Sequence, residues 1–244
     1  MGALVSFANS LANQLFSFSM SELQTLIRSI RQEAEREPFP LDSPIYQQAS
    51  KDALEPILFG GNLGSQLCFF GRDLGADEVR QGQPLIGAAG RLVRKGFFEA
   101  WQGRAPKGQD DLQTVCQRIL LTNTVPYKPP ENKAYSVKVK ERFRPFVEQL
   151  LVFHWQGKQI ITLGTEAFKW FAPYAAKGQL DEFFRGGDRY ESSLDVLIKA
   201  STGAGKTSQK IVKLMPLPHP SPLNKRYYGQ FPKMLQRRLA EIAF

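Results

Sequence analysis

The feature that most constrains this sequence is an alternation of short, unbroken apolar runs with longer amphipathic segments. The run at residues 66–70 is too short for a helix and nearly all apolar, as in a strand buried on both faces. Together these patterns predict a three-layer α/β/α sandwich with a mostly parallel central sheet of about four strands. Strands are expected at 66–70, 118–121, 160–163, 194–199 and 210–215, and helices at 88–101, 136–155, 165–171 and 232–242.

The chain is long enough for one sizeable domain with a smaller N-terminal addition. Residues 1–60 are predicted to form a helical extension packed on the main domain, which spans residues 61–244. Ser19 or Ser21 can cap the first helix of this extension. Residues 1–19 carry no charge and lack the basic start of a secretory signal, so no such signal is expected.

Composition favours an anionic partner and disfavours a metal site. The formal net charge is +9, and nucleic acid is the commonest partner of so basic a chain, although a solvated basic surface without a partner is the alternative. Cys68 and Cys116 are far apart, and with only two histidines they cannot form a zinc site, an iron–sulfur site or a disulfide framework. We expect a reducing, cytoplasmic location, no metal or cofactor, and no membrane span.

A proline-rich stretch at residues 214–223 follows the last apolar run. Its four prolines forbid a helix and remove backbone donors, which predicts a stiff loop. The loop carries one imidazole and is followed by two cations, an arrangement suited to a site that acts on a polyanion. A surface turn that happens to hold a histidine is the alternative. The residues of interest are His219, Ser221, Leu223, Lys225 and Arg226.

Polar side chains follow three of the predicted strands at the point where each strand ends. Asp73 comes after the first strand, Asn123 after the second, and His219 after the last. Ligands of open α/β sheets bind beyond the carboxyl ends of the strands. The sequence therefore predicts that an acid, an amide and an imidazole converge on one edge of the sheet.

The segment 200–207 resembles a phosphate-binding loop but departs from the strict pattern. Ala200 stands where that pattern needs glycine, and a β-rich run follows where a helix should hold the phosphates. We therefore predict a flexible hairpin turn. A nucleotidase that uses Lys206 remains as an alternative.

Several segments, in this order along the chain, resemble the uracil-DNA glycosylase superfamily over roughly residues 60–244. Gly71-Arg72-Asp73-Leu74-Gly75 looks like the first motif of that superfamily. Asp73 falls where the family 1 enzymes keep their catalytic aspartate. His219-Pro220-Ser221-Pro222-Leu223 matches the family 1 form of the last motif.

The segments between these two motifs are similar to those of the family 4 enzymes. Residues 82–90 look like the segment after the first motif, and residues 121–130 are similar to the second segment of those enzymes. Asn123 in the latter matches their base-reading asparagine. Residues 162–167 match a structural turn from strand to helix.

Five positions depart from the patterns of these families. Leu85 stands where a phenylalanine normally stacks on uracil, Gly75 where family 1 uses a tyrosine, and Arg72 where a glutamine or glutamate is usual. Tyr127 and Phe143 occupy two positions at which family 4 members have cluster-binding cysteines. We therefore expect no iron–sulfur cluster, and aromatic packing in its place.

The resemblance implies a monomeric, metal-independent DNA repair enzyme associated with the nucleoid. It would hydrolyse the N-glycosidic bond of uracil, or of a related deaminated base, in single- or double-stranded DNA after flipping the nucleotide. It implies catalytic roles for Asp73 and His219, base-binding roles for Gly71, Arg72, Leu85 and Asn123, and DNA contacts for Ser221, Leu223, Lys225 and Arg226.

Each of these roles has a structural alternative. Asp73 could bond backbone amides in a tight turn, Asn123 could cap a strand end, and His219 could be a solvated loop residue. At the level of the molecule, the rival is a catalytically silent DNA-binding protein that keeps the glycosylase fold. Such a protein would bind DNA in a salt-dependent way without releasing a base.

Overall fold

The structure, a computed structural model, describes residues 21–242, so the expectations about residues 1–19 lie outside the described residues. Within this range six strands form one sheet in the order β1-β3-β2-β4-β6-β5. The four central strands are parallel, and β1 and β5 add antiparallel edges. The prediction of a mostly parallel sheet is confirmed, although the sheet has six strands instead of about four. The strands are β1 (Phe59–Gly61), β2 (Leu67–Gly71), β3 (Ile119–Asn123), β4 (Gln159–Leu163), β5 (Leu194–Ser201) and β6 (Thr207–Leu217).

Helices cover both faces of the sheet and complete the three predicted layers. The described part of the chain holds α1 (21–36), α2 (Ser43–Gln48), α3 (Ala76–Gln81), α4 (Ala88–Gln102), α5 (Gln109–Thr114), α6 (Val137–Gln149), α7 (Thr165–Lys169), α8 (Gln179–Arg185), α9 (Lys225–Tyr228) and α10 (Phe231–Ala240). The helix expected at 136–155 ends as α6 at Gln149, and a π-helical turn follows over Leu150–His154. The short helices α3, α5, α8 and α9 were not predicted.

The two cores follow from the two-residue period of the strands. In β2, Leu67 and Phe69 pack against α4 and α10, whereas Cys68 and Phe70 pack against the layer that contains α1 and α6. All five residues of β2 are buried, as its unbroken apolar run predicts. The central strands β2, β3 and β4 are thus buried almost throughout, whereas β5 and the first half of β6 also carry exposed side chains.

The last strand is longer than predicted and includes a proline. Pro216 pairs with Thr162 of β4, so the stiff loop begins at Pro218 instead of at residue 214. A central strand normally rejects proline because the ladder loses a donor. Here β5 pairs with β6 only as far as Leu214, so one side of Pro216 has no neighbouring strand that requires its N–H.

The glycine-rich segment 200–207 is a hairpin turn between β5 and β6, as predicted. Gly205 adopts a left-handed conformation with φ +80°, and Lys206 N–H donates to Thr202 Oγ1 at 3.2 Å. A strand follows the turn, so no helix N-terminus is present there to hold phosphates. The nucleotidase alternative is therefore wrong on structural grounds.

The segment before β1 is built into the core. Leu23, Leu26 and Ile30 of α1 are buried in the same cluster as the sheet residues Phe70 and Leu120. No helix within residues 21–242 is long and apolar enough to cross a membrane.

One buried ion pair ties this segment to the end of β3. Lys128 Nζ lies 2.6 Å from Asp42 Oδ2, and the lysine side chain is only 3% exposed. The same amine donates to the carbonyl of Pro129 at 2.9 Å. Removing one partner of such a pair leaves an uncompensated buried charge.

We predict that Asp42→Ala lowers the free energy of unfolding by about 3 kcal/mol, because Lys128 loses its counter-ion in the interior. Urea unfolding followed by tryptophan fluorescence would measure the change. Glu35→Ala is the matched control, since it removes an exposed i,i+4 partner of Arg31 and should cost less than about 1 kcal/mol. Equal losses in the two variants would contradict the prediction.

Candidate active site

The candidate site lies where β2, β3 and β6 end at one edge of the sheet. Gly71, the last residue of β2, is in register with Asn123, the last residue of β3. The loop after β6 brings His219 to the same edge. This is the position at which open parallel sheets bind ligands.

Asp73 lies in the turn after β2 with its carboxylate almost fully enclosed. Its side chain is 3% exposed, and its Oδ2 is 2.6 Å from Arg72 Nε. Neither carboxylate oxygen accepts a hydrogen bond of good geometry, so Asp73 does not bond backbone amides as the structural alternative requires. Burial raises the pKa of Asp73 above the ordinary value of an aspartate, while the positive charges of Arg72 and Lys140 oppose this rise.

The buried end of β3, which we call the floor of the site, carries Asn123 with an unpaired amide. It is 2% exposed, and neither its Oδ1 nor its Nδ2 has a hydrogen-bond partner. It therefore caps no strand end. Gly71 makes room for it, because a Cβ built on Gly71 would lie 2.2 Å from Asn123 Oδ1 and 3.4 Å from Leu85 Cδ2. A buried amide left unpaired is costly in a native protein, which points to a ligand that completes it.

His219 stands at the exposed rim of the site, on the stiff loop after β6. Gly164 permits this position, since a Cβ built there would lie 3.1 Å from His219 Cβ. The carbonyl of His219 accepts from Ser221 N at 2.9 Å and from Asn224 Nδ2 at 3.1 Å, which fixes the loop. Burial by the surrounding protein atoms and the charge of Arg72 lower the pKa of His219 below its ordinary value, which favours the neutral imidazole.

Asp73 and His219 share one cavity of about 720 Å³. Six of the ten predicted site residues line it: Arg72, Asp73, Leu85, His219, Ser221 and Leu223. Gly71 and Asn123 do not line it, but Gly71 adjoins Leu85, which does. Lys225 and Arg226 lie outside the cavity on α9, directly beyond the loop. The structure thus brings the acid, the amide and the imidazole to one place.

Arg72 lies across the acid instead of pointing away from it. Besides its contact with Asp73, it donates from Nη2 to the carbonyl of Asn132 at 3.0 Å. Glu131 and Asn132 both adopt left-handed conformations, with φ of 53° and 57°. The guanidinium therefore narrows the path from solvent to the carboxylate in this structure.

Leu223 and α9 form an exposed rim beside the cavity. Leu223 is 92% exposed, so its apolar side chain is free to contact a partner. The guanidinium of Arg226 lies 5.1 Å from the ring centroid of Tyr227, and Tyr228 is also exposed. The rim combines an apolar tip with cations and aromatic rings.

Sequence reasoning missed four polar residues that line the cavity, namely Asp77, Glu78, Asn132 and Asn224. Glu78 accepts from Gly75 N at 3.0 Å and from Gly87 N at 2.9 Å, and the three-residue spacing from Gly75 is the signal of a capping box that could have revealed it. Asn132 contributes its backbone carbonyl from an irregular loop, and no sequence pattern marks it. The other missed lining residues are not polar: Leu74, Gly75, Ala76, Gly87, Ala88 and Ala89.

The residues present do not fit an iron–sulfur cluster. Tyr127 and Phe143, which the sequence resemblance sets at two cysteine positions of the family 4 enzymes, offer no thiolate. Their rings pack at 5.3 Å, with Phe39 at 5.3 and 5.1 Å from them. Cys68 is buried within β2 and Cys116 lies elsewhere. Within residues 21–242, no three His, Cys, Asp or Glu side chains are grouped so as to hold a metal ion.

We predict that Gly90→Ala disrupts the wall of the cavity. A Cβ on Gly90 would lie 1.6 Å from the carbonyl oxygen of Leu85, so the segment 82–90 would be forced off α4. The free energy of unfolding should fall by at least about 2 kcal/mol in urea titrations. Gly108→Ala, where nothing lies within 4 Å of the added Cβ, should change it by less than about 0.5 kcal/mol. A Gly90→Ala variant as stable as the control would show that this contact does not constrain the wall.

Comparison with known proteins agrees with this geometry. A family model described as the uracil DNA glycosylase superfamily matches residues 59–243, which include every element from β1 through α10. A search of curated proteins found no match. Since the match covers most of the chain, the protein belongs to the uracil-DNA glycosylase superfamily.

Proposed function

We propose that the protein is a DNA repair glycosylase that hydrolyses the N-glycosidic bond of uracil, or of a related deaminated base, in DNA. The observation that supports this most directly is the shared cavity of Asp73 and His219 above the unpaired amide of Asn123. The protein would act as a monomer on nucleoid DNA in the cytoplasm. Neither a metal nor an iron–sulfur cluster enters the reaction.

DNA binding would rely on charge and on the exposed rim. Lys225 and Arg226 on α9 are placed to contact phosphates, which carry most of the affinity but no sequence information. Ser221 can donate a hydrogen bond to a phosphate oxygen. Leu223, exposed at the tip of the loop, would enter the space that the flipped nucleotide leaves.

Base recognition would fall to the unpaired amide at the floor. Asn123 offers one acceptor and two donor hydrogens, which match the edge of uracil. The exocyclic amine of cytosine would face the amide donor, so cytosine is rejected. Binding of uracil would satisfy polar atoms that are buried without partners in the free protein.

Bond cleavage would use the opposite charges that develop on the two products. When the bond between C1′ and the base nitrogen breaks, the sugar gains positive charge and the base leaves with the electron pair. An ionised Asp73 would stabilise the sugar cation and orient a water molecule toward C1′, and the neutral imidazole of His219 would donate a hydrogen bond to the departing base. The water supplies hydroxyl to the sugar, and its proton balances the charge of the released base.

The rival function is a catalytically silent DNA-binding protein with the same fold. The position of Arg72 favours it, because the guanidinium lies on Asp73 and both carboxylate oxygens are closed to solvent. For the glycosylase reaction, Arg72 has to leave Asp73 when DNA binds. The two functions therefore differ in whether bound DNA loses a base.

We predict release of uracil from an oligonucleotide with one uracil, with single-stranded substrate at least as good as duplex. Strand cleavage by alkali after incubation would report the abasic site. Asp73→Asn and His219→Ala should each reduce the rate by at least about 100-fold, because they remove the cation stabiliser and the hydrogen-bond donor. Asp77→Asn is the matched control, since this exposed acid lines the same cavity without facing the reaction. Salt-dependent DNA binding without cleavage at any enzyme concentration would favour the silent protein.

We predict that Arg72→Gln moves the acid limb of the pH–rate profile to higher pH. Arg72 lowers the pKa of both Asp73 and His219, and the reaction needs the first ionised and the second neutral. Removing this positive charge raises both pKa values, so activity is lost earlier as the pH falls. Profiles of kcat/KM from pH 4 to 9 would measure the shift, with Arg80→Gln as the control for loss of an arginine ion pair nearby. Superimposable profiles for Arg72→Gln and the wild type would refute this electrostatic role.

A further inference from the structure

The peptide group between Ile86 and Gly87 is held from both sides by buried charges. Its N–H donates to Glu78 Oε1 at 2.9 Å, and its carbonyl accepts from Arg94 Nη2 at 3.0 Å. Glu78 is 9% exposed and Arg94 is fully buried. An acid and a base thus fix the orientation of one peptide plane in the wall of the cavity.

The carboxylate of Glu78 also connects this wall to the turn that carries Asp73. Its second oxygen accepts from Gly75 N at 3.0 Å, so one side chain bridges the segments 71–75 and 82–90. Arg94 adds a weaker bond from Nε to the carbonyl of Gly90 at 3.3 Å. Burying two charges is costly unless they are well paired. Here the hydrogen bonds of both charged groups go to the backbone of the cavity wall, and those of Glu78 join two loops.

The residue whose position this arrangement decides is Leu85. It has a left-handed backbone with φ +54°, which an L residue with a Cβ adopts only when its surroundings impose it. Its carbonyl packs directly on Gly90, and its side chain lies beside Gly71, where an added Cβ would be 3.4 Å from Leu85 Cδ2 and 2.2 Å from Asn123 Oδ1. The neighbouring residues of the wall are small: Gly75, Ala76, Gly87, Ala88 and Ala89. The distance from Leu85 to the floor therefore depends on backbone position more than on side-chain bulk.

We propose that Glu78 and Arg94 are positioning residues that fix Leu85 over the floor of the cavity and thereby decide which bases fit between Leu85 and Asn123. This inference rests on the proposed glycosylase function. Neither residue contacts the reacting atoms in this role. They act through the Ile86–Gly87 peptide. If this peptide is no longer held, Leu85 can move away from Asn123, and the space for a base between the two side chains becomes wider.

The first test measures kcat/KM for the release of bases of different size by the Glu78→Gln and Arg94→Lys variants and by the wild type. Glutamine has only one acceptor oxygen, whereas the N–H groups of Gly75 and Gly87 each require one. Lysine cannot donate to two carbonyls in the geometry of the Arg94 guanidinium. We expect kcat/KM for uracil to fall about tenfold, while kcat/KM for hypoxanthine and for 5-hydroxymethyluracil does not fall. Glu99→Gln, which removes a partly exposed ion pair with Lys95 farther along α4, should change no ratio. Equal losses for all three bases would mean a merely structural role and would overturn the proposal.

The second test does not depend on activity. In Glu78→Gln, the amide protons of Gly75 and Gly87 should exchange with deuterium at least about tenfold faster than in the wild type. The melting temperatures of the variant and of the wild type must both lie above the assay temperature, so that the comparison is between folded proteins. Unchanged exchange at both amides would refute the proposal whatever the activity. A wild type that releases no base would instead refute the proposed function, and the exchange rates would still decide whether Glu78 holds the wall.

Discussion

Burial of β2 on both faces is the constraint on which the site depends. A strand that contacts a core on each side carries no charged side chain along its length here, so the first charged groups after β2 appear in the turn beyond the strand. Because β2, β3 and β6 are all in the parallel part of the sheet, their ends meet at one edge. Asp73, Asn123 and His219 come to the same edge of the sheet for this reason, although positions 73 and 219 are 146 apart in the sequence.

Elements with a strong period were predictable, whereas contacts between loops were not. The run at Leu67–Phe70 and the helix at Ala88–Gln102 are long or regular enough to show in the sequence, but β1 has three residues and α9 has four. Glu78 and Asn132 were missed because their roles depend on backbone groups that come together only in three dimensions. The depth of Asn123 could not be predicted either, since it depends on the absence of a Cβ at Gly71 in the neighbouring strand.

The family match begins at residue 59, yet the folded core begins earlier. Leu26 and Ile30 of α1 are buried against the sheet, and Arg142 of α6 bonds both the side chain and the backbone of Glu33. Ion pairs reinforce apolar burial here, so the helix that precedes the matched region is a packed part of the described molecule. The aromatic cluster of Phe39, Tyr127 and Phe143 lies at this junction. The positions where relatives of family 4 are expected to carry cysteines thus contribute to the packing of the N-terminal segment.

The contact between Arg72 and Asp73 affects two requirements of the proposed reaction in opposite ways. Asp73 has to be ionised, and it has to be accessible to water and to the sugar. A carboxylate enclosed without hydrogen bonds tends to become protonated, and the adjacent guanidinium is the group that opposes this. The same guanidinium narrows the way for water and for the sugar. Under the proposed function the conflict would end when a flipped nucleotide enters, because the positive charge that develops on the sugar would replace Arg72 as the counter-charge of Asp73. An acid that is buried and paired in the free protein therefore remains compatible with catalysis, provided that the pairing cation is mobile and the substrate brings a cation of its own.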